Sequence, residues 1–129
     1  MTYEMLRDTI TSGGIDASLR TALAVPEARI LSERDRYADA LAAFGELYGT
    51  EGEISLYSVG GRSEISGNHT DHNHGCVLAA AINLDIIAVA AKNDDGLVRL
   101  RSEGYSEDRM TVAECKTPNT EYYFKSRAL

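Results

Sequence analysis

The 129-residue sequence has few basic residues and lacks a long uninterrupted apolar run. Thirteen Lys and Arg residues face twenty Asp and Glu residues, which gives a formal net charge of −7. Because no Lys/Arg cluster offsets this charge locally, a sequence-independent grip on nucleic acid phosphates is not expected. The longest apolar stretch, residues 76–91, is interrupted by Asn83 and Asp85 and is shorter than the roughly 20 residues of a membrane-spanning helix. We therefore expect neither nucleic acid nor a membrane as a partner.

The few cysteines and the polar start of the chain argue against two classes of protein, disulfide-rich proteins and proteins with a secretory signal peptide. The two cysteines, Cys76 and Cys115, have no CxxC spacing, and reduced thiols are expected rather than a disulfide framework. Residues 1–10 include three charged side chains where a signal peptide would carry an apolar core. A cytoplasmic protein is therefore expected.

The clearest helical pattern lies between residues 32 and 49. Ser32 and Asp35 have the spacing of a capping box, and Gly49 is placed to end the helix with a positive φ. The apolar face of this helix, at i, i+4, i+7 and i+11, consists of Tyr37, Leu41, Phe44 and Tyr48. Such a helix is expected to dock on a sheet.

Strand patterns follow this helix. Residues 53–59 alternate loosely and lead into Gly60-Gly61, where a backbone without Cβ can turn sharply or approach a ligand closely. Residues 84–91 are rich in β-branched side chains, residues 93–96 form a strong turn signal, and residues 97–102 alternate again. The last three segments predict a hairpin.

A single domain over residues 1–129 is expected from the length and from the mixture of elements. Helical pieces combined with mainly antiparallel strands indicate the α+β class. The predicted architecture has two layers, with helices packed on a mixed, mainly antiparallel sheet.

A dense polar stretch, residues 60–75, separates the predicted strands. It holds four glycines, three histidines, one arginine, two carboxylates and two asparagines. A solvated loop needs no such combination of Arg, His and Asp, so this stretch is the candidate functional site.

The side chains of this stretch suit a polyol. Asp71 can accept hydrogen bonds from two neighbouring hydroxyls, while Asn68 and His69 can each donate or accept. A site of this kind rejects analogues that lack the hydroxyls. Arg62 adds a fixed positive charge, which is useful where negative charge develops on an oxygen or a phosphoryl group. The residues alone therefore favour a sugar ligand.

Two alternatives remain open on the residues alone. One is a zinc site built from side chains that lie within six residues, although their spacing matches no common structural zinc pattern. Its candidate ligands are His69, Asp71, His72 and His74. The other alternative is a turn whose histidines are ordinary surface residues.

The same stretch carries a family resemblance. It reads Gly61-Arg62-x-x-Ile65-x-Gly67-Asn68-His69-Thr70-Asp71-His72-Asn73. This resembles the galactokinase signature of the GHMP sugar kinases, PGRVNLIGEHTDYNGG in one-letter form. The resemblance extends over roughly residues 32–112. It implies the N-terminal, GHMP-kinase-type domain of an enzyme that transfers the γ-phosphoryl group of ATP to the C1 hydroxyl of galactose, with Mg²⁺ as cofactor.

The resemblance also implies roles for single residues. Arg62 would be the catalytic residue and a substrate contact, orienting the nucleophilic hydroxyl and balancing transition-state charge. Asn68, His69 and Asp71 would bind the sugar hydroxyls. Asn68 stands where the family has a glutamate, and an amide is a weaker acceptor than a carboxylate. Galactose is therefore the leading substrate, with a related hexose or hexosamine as the alternative, and no residue is assigned to a metal.

The phosphate half of such an enzyme has no counterpart in these residues. The family's phosphate loop, Pro-x-x-x-Gly-Leu-Ser-Ser-Ser-Ala, and the catalytic aspartate after it do not occur here. The ATP and Mg²⁺ sites are thus expected outside this chain, along with the family's C-terminal domain. The chain is expected to be a truncated piece that is inactive alone. A non-catalytic sugar sensor or regulator of the same family is the alternative function.

Overall fold

The computed structural model describes residues 1–67 and 74–115. Its four helices are α1 (Tyr3–Thr11), α2 (Asp16–Ala22), α3 (Ile30–Tyr48) and α4 (Val112–Cys115). Its four strands are β1 (Ile54–Ser66), β2 (Leu78–Ala91), β3 (Leu97–Leu100) and β4 (Asp108–Thr111). Both strand pairs are antiparallel, which confirms the expected α+β class. In the described ranges no helix is long and apolar enough to cross a membrane.

The chain divides into two compact units, Met1–Lys92 and Asn93–Leu129. The first unit contains α1 to α3, β1 and β2, and its core lies between the helices and one face of the β1–β2 pair. The buried apolar side chains of this core are Leu6, Ile10, Leu19, Val25, Ile30, Tyr37, Leu41 and Ile54. Ile87 and Val89 of β2 pack against them.

Helix α3 begins two residues earlier than the sequence predicted. A short 3₁₀ turn, Glu27–Arg29, runs directly into it, so that Ile30 is already helical. The hydroxyl of Ser32 donates to the carbonyl oxygen of Arg29 at 2.9 Å, inside the first turn. The capping-box interpretation is therefore wrong. Gly49 ends the helix as expected, with a φ of +85° and an N–H group bonded to the Gly45 carbonyl.

Strand β1 is longer than predicted. It does not stop before Gly60-Gly61 but continues to Ser66, so the expected turn at the glycine pair is not present. Instead, the ladder with β2 shifts register there, since Gly60 pairs with Asp85 and Arg62 pairs with Ala81. One residue of β1 faces three of β2. A second, smaller irregularity lies between Glu64 and Ser66.

Gly61 lies close to the neighbouring strand in this shift. A Cβ atom built on it would lie 3.2 Å from the side chain of Ile82 and 3.3 Å from the carbonyl oxygen of Leu84. Gly61 therefore has little space for a side chain beside the neighbouring strand, while a close approach of the glycine pair to a ligand stays a prediction.

The second unit contains the short β3–β4 pair. Leu97 pairs with Thr111 and Leu100 with Asp108. The predicted hairpin of residues 84–91 with residues 97–102 is wrong, because β2 pairs with β1 and β3 pairs with β4. Asp95 does shape the predicted turn, accepting from the backbone N–H of Leu97 at 3.0 Å. Side-chain alternation identifies the two faces of a strand but not its partner.

Asp16 joins α2 to α3 through an ion pair. Its carboxylate accepts two hydrogen bonds from the guanidinium of Arg34, at 2.6 and 2.5 Å. Arg20 lies 3.9 Å away on the same helix as Asp16. The hydrogen bonding from Arg34, followed by the positive charges of Arg34 and Arg20, holds the pKa of Asp16 below its ordinary value of 3.8 despite partial burial.

This depressed pKa predicts an acid-sensitive contribution of Asp16 to stability. Because the folded pKa lies below the unfolded one, the contribution is present above the ordinary value of 3.8 and is lost as the pH falls through the folded value. Between about pH 5 and about pH 3, the thermal midpoint of the wild type should therefore fall more than that of Asp16→Asn. Circular dichroism melts at several pH values measure this, and parallel pH profiles for the two proteins would contradict it.

Candidate functional site

The polar stretch lies at the connecting end of the β1–β2 hairpin. Residues 60–66 belong to β1, and residues 74–77 precede β2. Of the four predicted site residues, only Arg62 is among the described residues. The other three, Asn68, His69 and Asp71, lie outside them.

The hairpin is closed where this connection begins and ends. Gly67 has a φ of +88°, and a Cβ atom built on it would overlap the carbonyl oxygen of Cys76 and lie 2.9 Å from the Cα of Val77. Both the backbone angle and the lack of space require glycine. The backbones at Gly67 and Cys76 are therefore in direct contact.

Arg62 is an exposed residue of β1, paired with Ala81. The register shift skips one residue on β1 and three on β2, so side-chain alternation stays in phase on both strands. Alternation therefore places Arg62 on the same face of β1 as Ser58. Within residues 1–67 and 74–115, the Arg62 guanidinium has no ion-pair partner. Its cross-strand neighbour, Ala81, has a small side chain.

A buried carboxylate beside the register shift is the feature that the sequence interpretation missed. The side chain of Asp85 is 1% exposed, and its backbone pairs with Gly60. It accepts hydrogen bonds from the phenol of Tyr37 at 2.7 Å, from the hydroxyl of Ser58 and from the guanidinium of Arg36. We call Asp85, Arg36, Tyr37 and Ser58 the Asp85 cluster.

Tyr37 contributes to this cluster as a neutral donor. Burial, and then the hydrogen bond to the Asp85 carboxylate, raises the pKa of the Tyr37 phenol above its ordinary value of 10.0. The phenol therefore keeps its proton and donates to Asp85 across the neutral pH range. The sequence pattern had assigned Tyr37 to the apolar face of its helix, and its burial confirms that position.

A weak signal for the cluster was present in the sequence. Asp85 interrupts an apolar strand, and a carboxylate buried in such a setting has to be paired. Its partners Tyr37 and Arg36 are 48 and 49 residues away. No local spacing reveals contacts at that separation.

The zinc alternative gains no support from the described part of the chain. In residues 1–67 and 74–115, no three His, Cys, Asp or Glu side chains are grouped so that they could hold a metal ion. His74 is exposed in a turn with a φ of +61°. The other proposed ligands, His69, Asp71 and His72, lie outside the described residues. The zinc interpretation is therefore untested.

Comparison with known families identifies the stretch. Residues 42–92 match the galactokinase galactose-binding signature. The chain carries a galactokinase signature. The matched residues include the end of α3, all of β1 and β2, and the whole polar stretch. The resemblance to the galactokinases is thereby confirmed.

Individual galactokinases support the same assignment. The chain is 43% identical to human galactokinase over 72 residues, which are 54% of this chain and 18% of the human protein. It is 38% identical to the Streptomyces coelicolor galactokinase over 65 residues, 50% of this chain and 16% of that one. For the Enterococcus faecalis galactokinase the identity is 41% over 64 residues, again 50% and 16%. The chain thus covers less than a fifth of the length of these relatives. No solved structure matches it significantly.

Proposed function

We propose that the β1–β2 hairpin and its polar connection form the sugar-binding part of a galactokinase-type kinase, with galactose as the sugar. The observation that carries this proposal is the match of residues 42–92 to the galactose-binding signature. Arg62, Asn68, His69 and Asp71 all lie inside that range. The exposed position of Arg62 on β1, with no ion-pair partner among the described residues, agrees with contact to a ligand.

The proposed reaction is phosphoryl transfer from ATP to the C1 hydroxyl. The hydroxyl oxygen forms a bond to the γ-phosphorus, the bond from that phosphorus to the bridging oxygen breaks, ADP leaves and the hydroxyl proton is released. Arg62 orients the hydroxyl and balances the charge that builds up on the transferring group.

ATP and Mg²⁺ belong to the proposal as phosphoryl donor and cofactor bound by residues outside this chain. A cytoplasmic location is part of the same proposal.

Galactose titration of residues 1–129 tests the sugar site directly. We expect saturable binding of galactose, and an affinity about tenfold lower for Arg62→Ala, which is the loss of about 1.4 kcal/mol. Arg7→Ala is the matched control, because Arg7 is an exposed arginine of α1 far along the chain from the polar stretch. Its affinity should equal that of the wild type. A wild-type chain that binds neither galactose nor another hexose would overturn the proposal.

An ATP-dependent phosphorylation assay separates binding from catalysis. We expect no turnover by residues 1–129 alone and turnover of galactose by a longer product of the same gene. A longer product that binds galactose without turnover would contradict the proposed kinase activity and would favour the alternative function, a sugar sensor. Turnover by residues 1–129 alone would contradict the assignment of the phosphate half to other residues.

A further inference from the structure

We propose that Asp85 is a positioning residue for Arg62, fixing the register shift of the β1–β2 hairpin from which Arg62 extends. The proposal deepens the proposed function and rests on it for the role of Arg62. It assigns a task in the sugar site to a buried residue outside the polar stretch.

Both oxygens of the Asp85 carboxylate accept hydrogen bonds. Its Oδ1 accepts from Arg36, and its Oδ2 accepts from both Tyr37 and Ser58. At 1% exposure, no water-facing alternative replaces these bonds. A buried carboxylate that loses its partners is strongly destabilising, so the three donors and the carboxylate are fixed together.

Two of the three donors to Asp85 belong to α3. Arg36 and Tyr37 are consecutive residues of that helix, and the Arg36 guanidinium lies 5.6 Å from the centre of the Tyr37 ring. Arg36 also pairs at 3.2 Å with Glu33, whose side chain is 7% exposed. Glu33 in turn pairs with Arg29. The Asp85 carboxylate on β2 is thus connected to a row of ion pairs along α3 and the 3₁₀ turn before it, and to Ser58 on β1.

The ladder of β1 and β2 is irregular beside Arg62. Gly60 lies opposite Asp85, and residues 82–84 of β2 then face Gly61 alone. Backbone hydrogen bonds by themselves do not determine where along a hairpin such an irregularity lies. A slip of one residue would turn Asp85 to the opposite face of the sheet and remove it from Arg36. The Asp85 cluster therefore holds the shift in place.

The position of the register shift determines which residue lies opposite Arg62. In the observed register its cross-strand neighbour is Ala81. If the shift moved by one residue along β2, Ala80 or Ile82 would take that position. Either change alters the direction or the crowding of the guanidinium. Asp85 acts on the sugar site by keeping Arg62 paired with Ala81.

A purely structural role for Asp85 is the competing explanation, and Asp16 provides the matched control. Asp16 is also a largely buried aspartate of the first unit, 9% exposed, and it is also bonded to an arginine of α3. It lies on α2, and its ion pairs with Arg34 and Arg20 join it to the helices α3 and α2 rather than to the hairpin. Asp85→Asn and Asp16→Asn therefore make the same chemical change at two places.

The test measures galactose affinity and backbone hydrogen exchange of residues 57–63 at a temperature where both variants are folded. For Asp85→Asn we expect exchange about tenfold faster in that segment and galactose affinity about tenfold lower. Asp16→Asn should leave both within about twofold of the wild type. Ser58→Ala, which removes one donor only, should change both in the same direction by less, and it serves if Asp85→Asn does not fold.

Each outcome decides one claim. Unchanged exchange and unchanged affinity in the Asp85 and Ser58 variants would overturn the positioning role. Equal losses in Asp85→Asn and Asp16→Asn would reduce Asp85 to a general contribution to stability and would also overturn it. A wild-type chain that binds no hexose would contradict the proposed function. The hydrogen-exchange data would still decide whether Asp85 holds the register.

Discussion

Leu41→Ala is expected to lower the free energy of unfolding of the first unit by about 2–5 kcal/mol. Leu41 is 1% exposed and lies in the core between α3 and the sheet. Truncation removes buried methyl groups and leaves a cavity that the surrounding side chains fill only in part. Because domains of this size are stable by about 5–15 kcal/mol, the variant loses a large share of its stability. Urea unfolding followed by circular dichroism measures the loss.

Leu31→Ala is the control for this prediction. Leu31 is in the same helix and undergoes the same truncation, but it is 68% exposed. Its expected change is below about 0.5 kcal/mol. Similar losses for both variants would mean that the core does not lie on the face of α3 that the structure assigns to it.

Helix α3 shows how far the sequence alone could lead. Its apolar face could be predicted because the spacing of Tyr37 and Leu41 fits one side of a helix, and both side chains are buried. Its start could not, because Ser32 and Asp35 satisfy a local rule that the preceding 3₁₀ turn overrides. The first residue of a helix depends on the conformation of the residues before it, and the capping residues alone do not determine that conformation.

The strands show the same contrast: their positions depend on local sequence patterns, and their pairing depends on long-range contacts. The strands around residues 53–59 and 84–91 could be predicted from alternation and β-branched side chains. The pairing of β3 with β4 rather than β2 could not, because alternation does not identify a partner strand. The glycine pair predicts a sharp turn or a close approach to a ligand, whereas β1 continues through it and Gly61 faces three residues of the opposite strand.

The candidate site was predicted in part for a similar reason. Arg62 lies in a signature of neighbouring residues, and such a signature is visible in the sequence alone. The Asp85 cluster joins residues separated by up to 49 positions, and only folding brings them together. Arg62 could therefore be singled out from the sequence, whereas the Asp85 cluster could not.

Gly67→Ala is expected to open the closed end of the hairpin. An alanine at a φ of +88° is strained, and its Cβ would overlap the carbonyl oxygen of Cys76. Strain and overlap together should cost about 2–5 kcal/mol. Because Asn68 follows Gly67 directly, we also expect galactose affinity to be lost under the proposed function. Thermal unfolding and galactose titration measure the two effects.

Gly52→Ala separates the overlap from the backbone strain. Gly52 has nearly the same angle, a φ of +82°, but a Cβ atom there would meet nothing within 4 Å. It should therefore show the conformational cost alone, about 1–2 kcal/mol, with galactose affinity unchanged. The excess loss in Gly67→Ala then measures how tightly Gly67 and Cys76 close the hairpin. Equal losses in the two variants would show that the backbone angle explains everything, and contact between the two ends would have no part in shaping the sugar site.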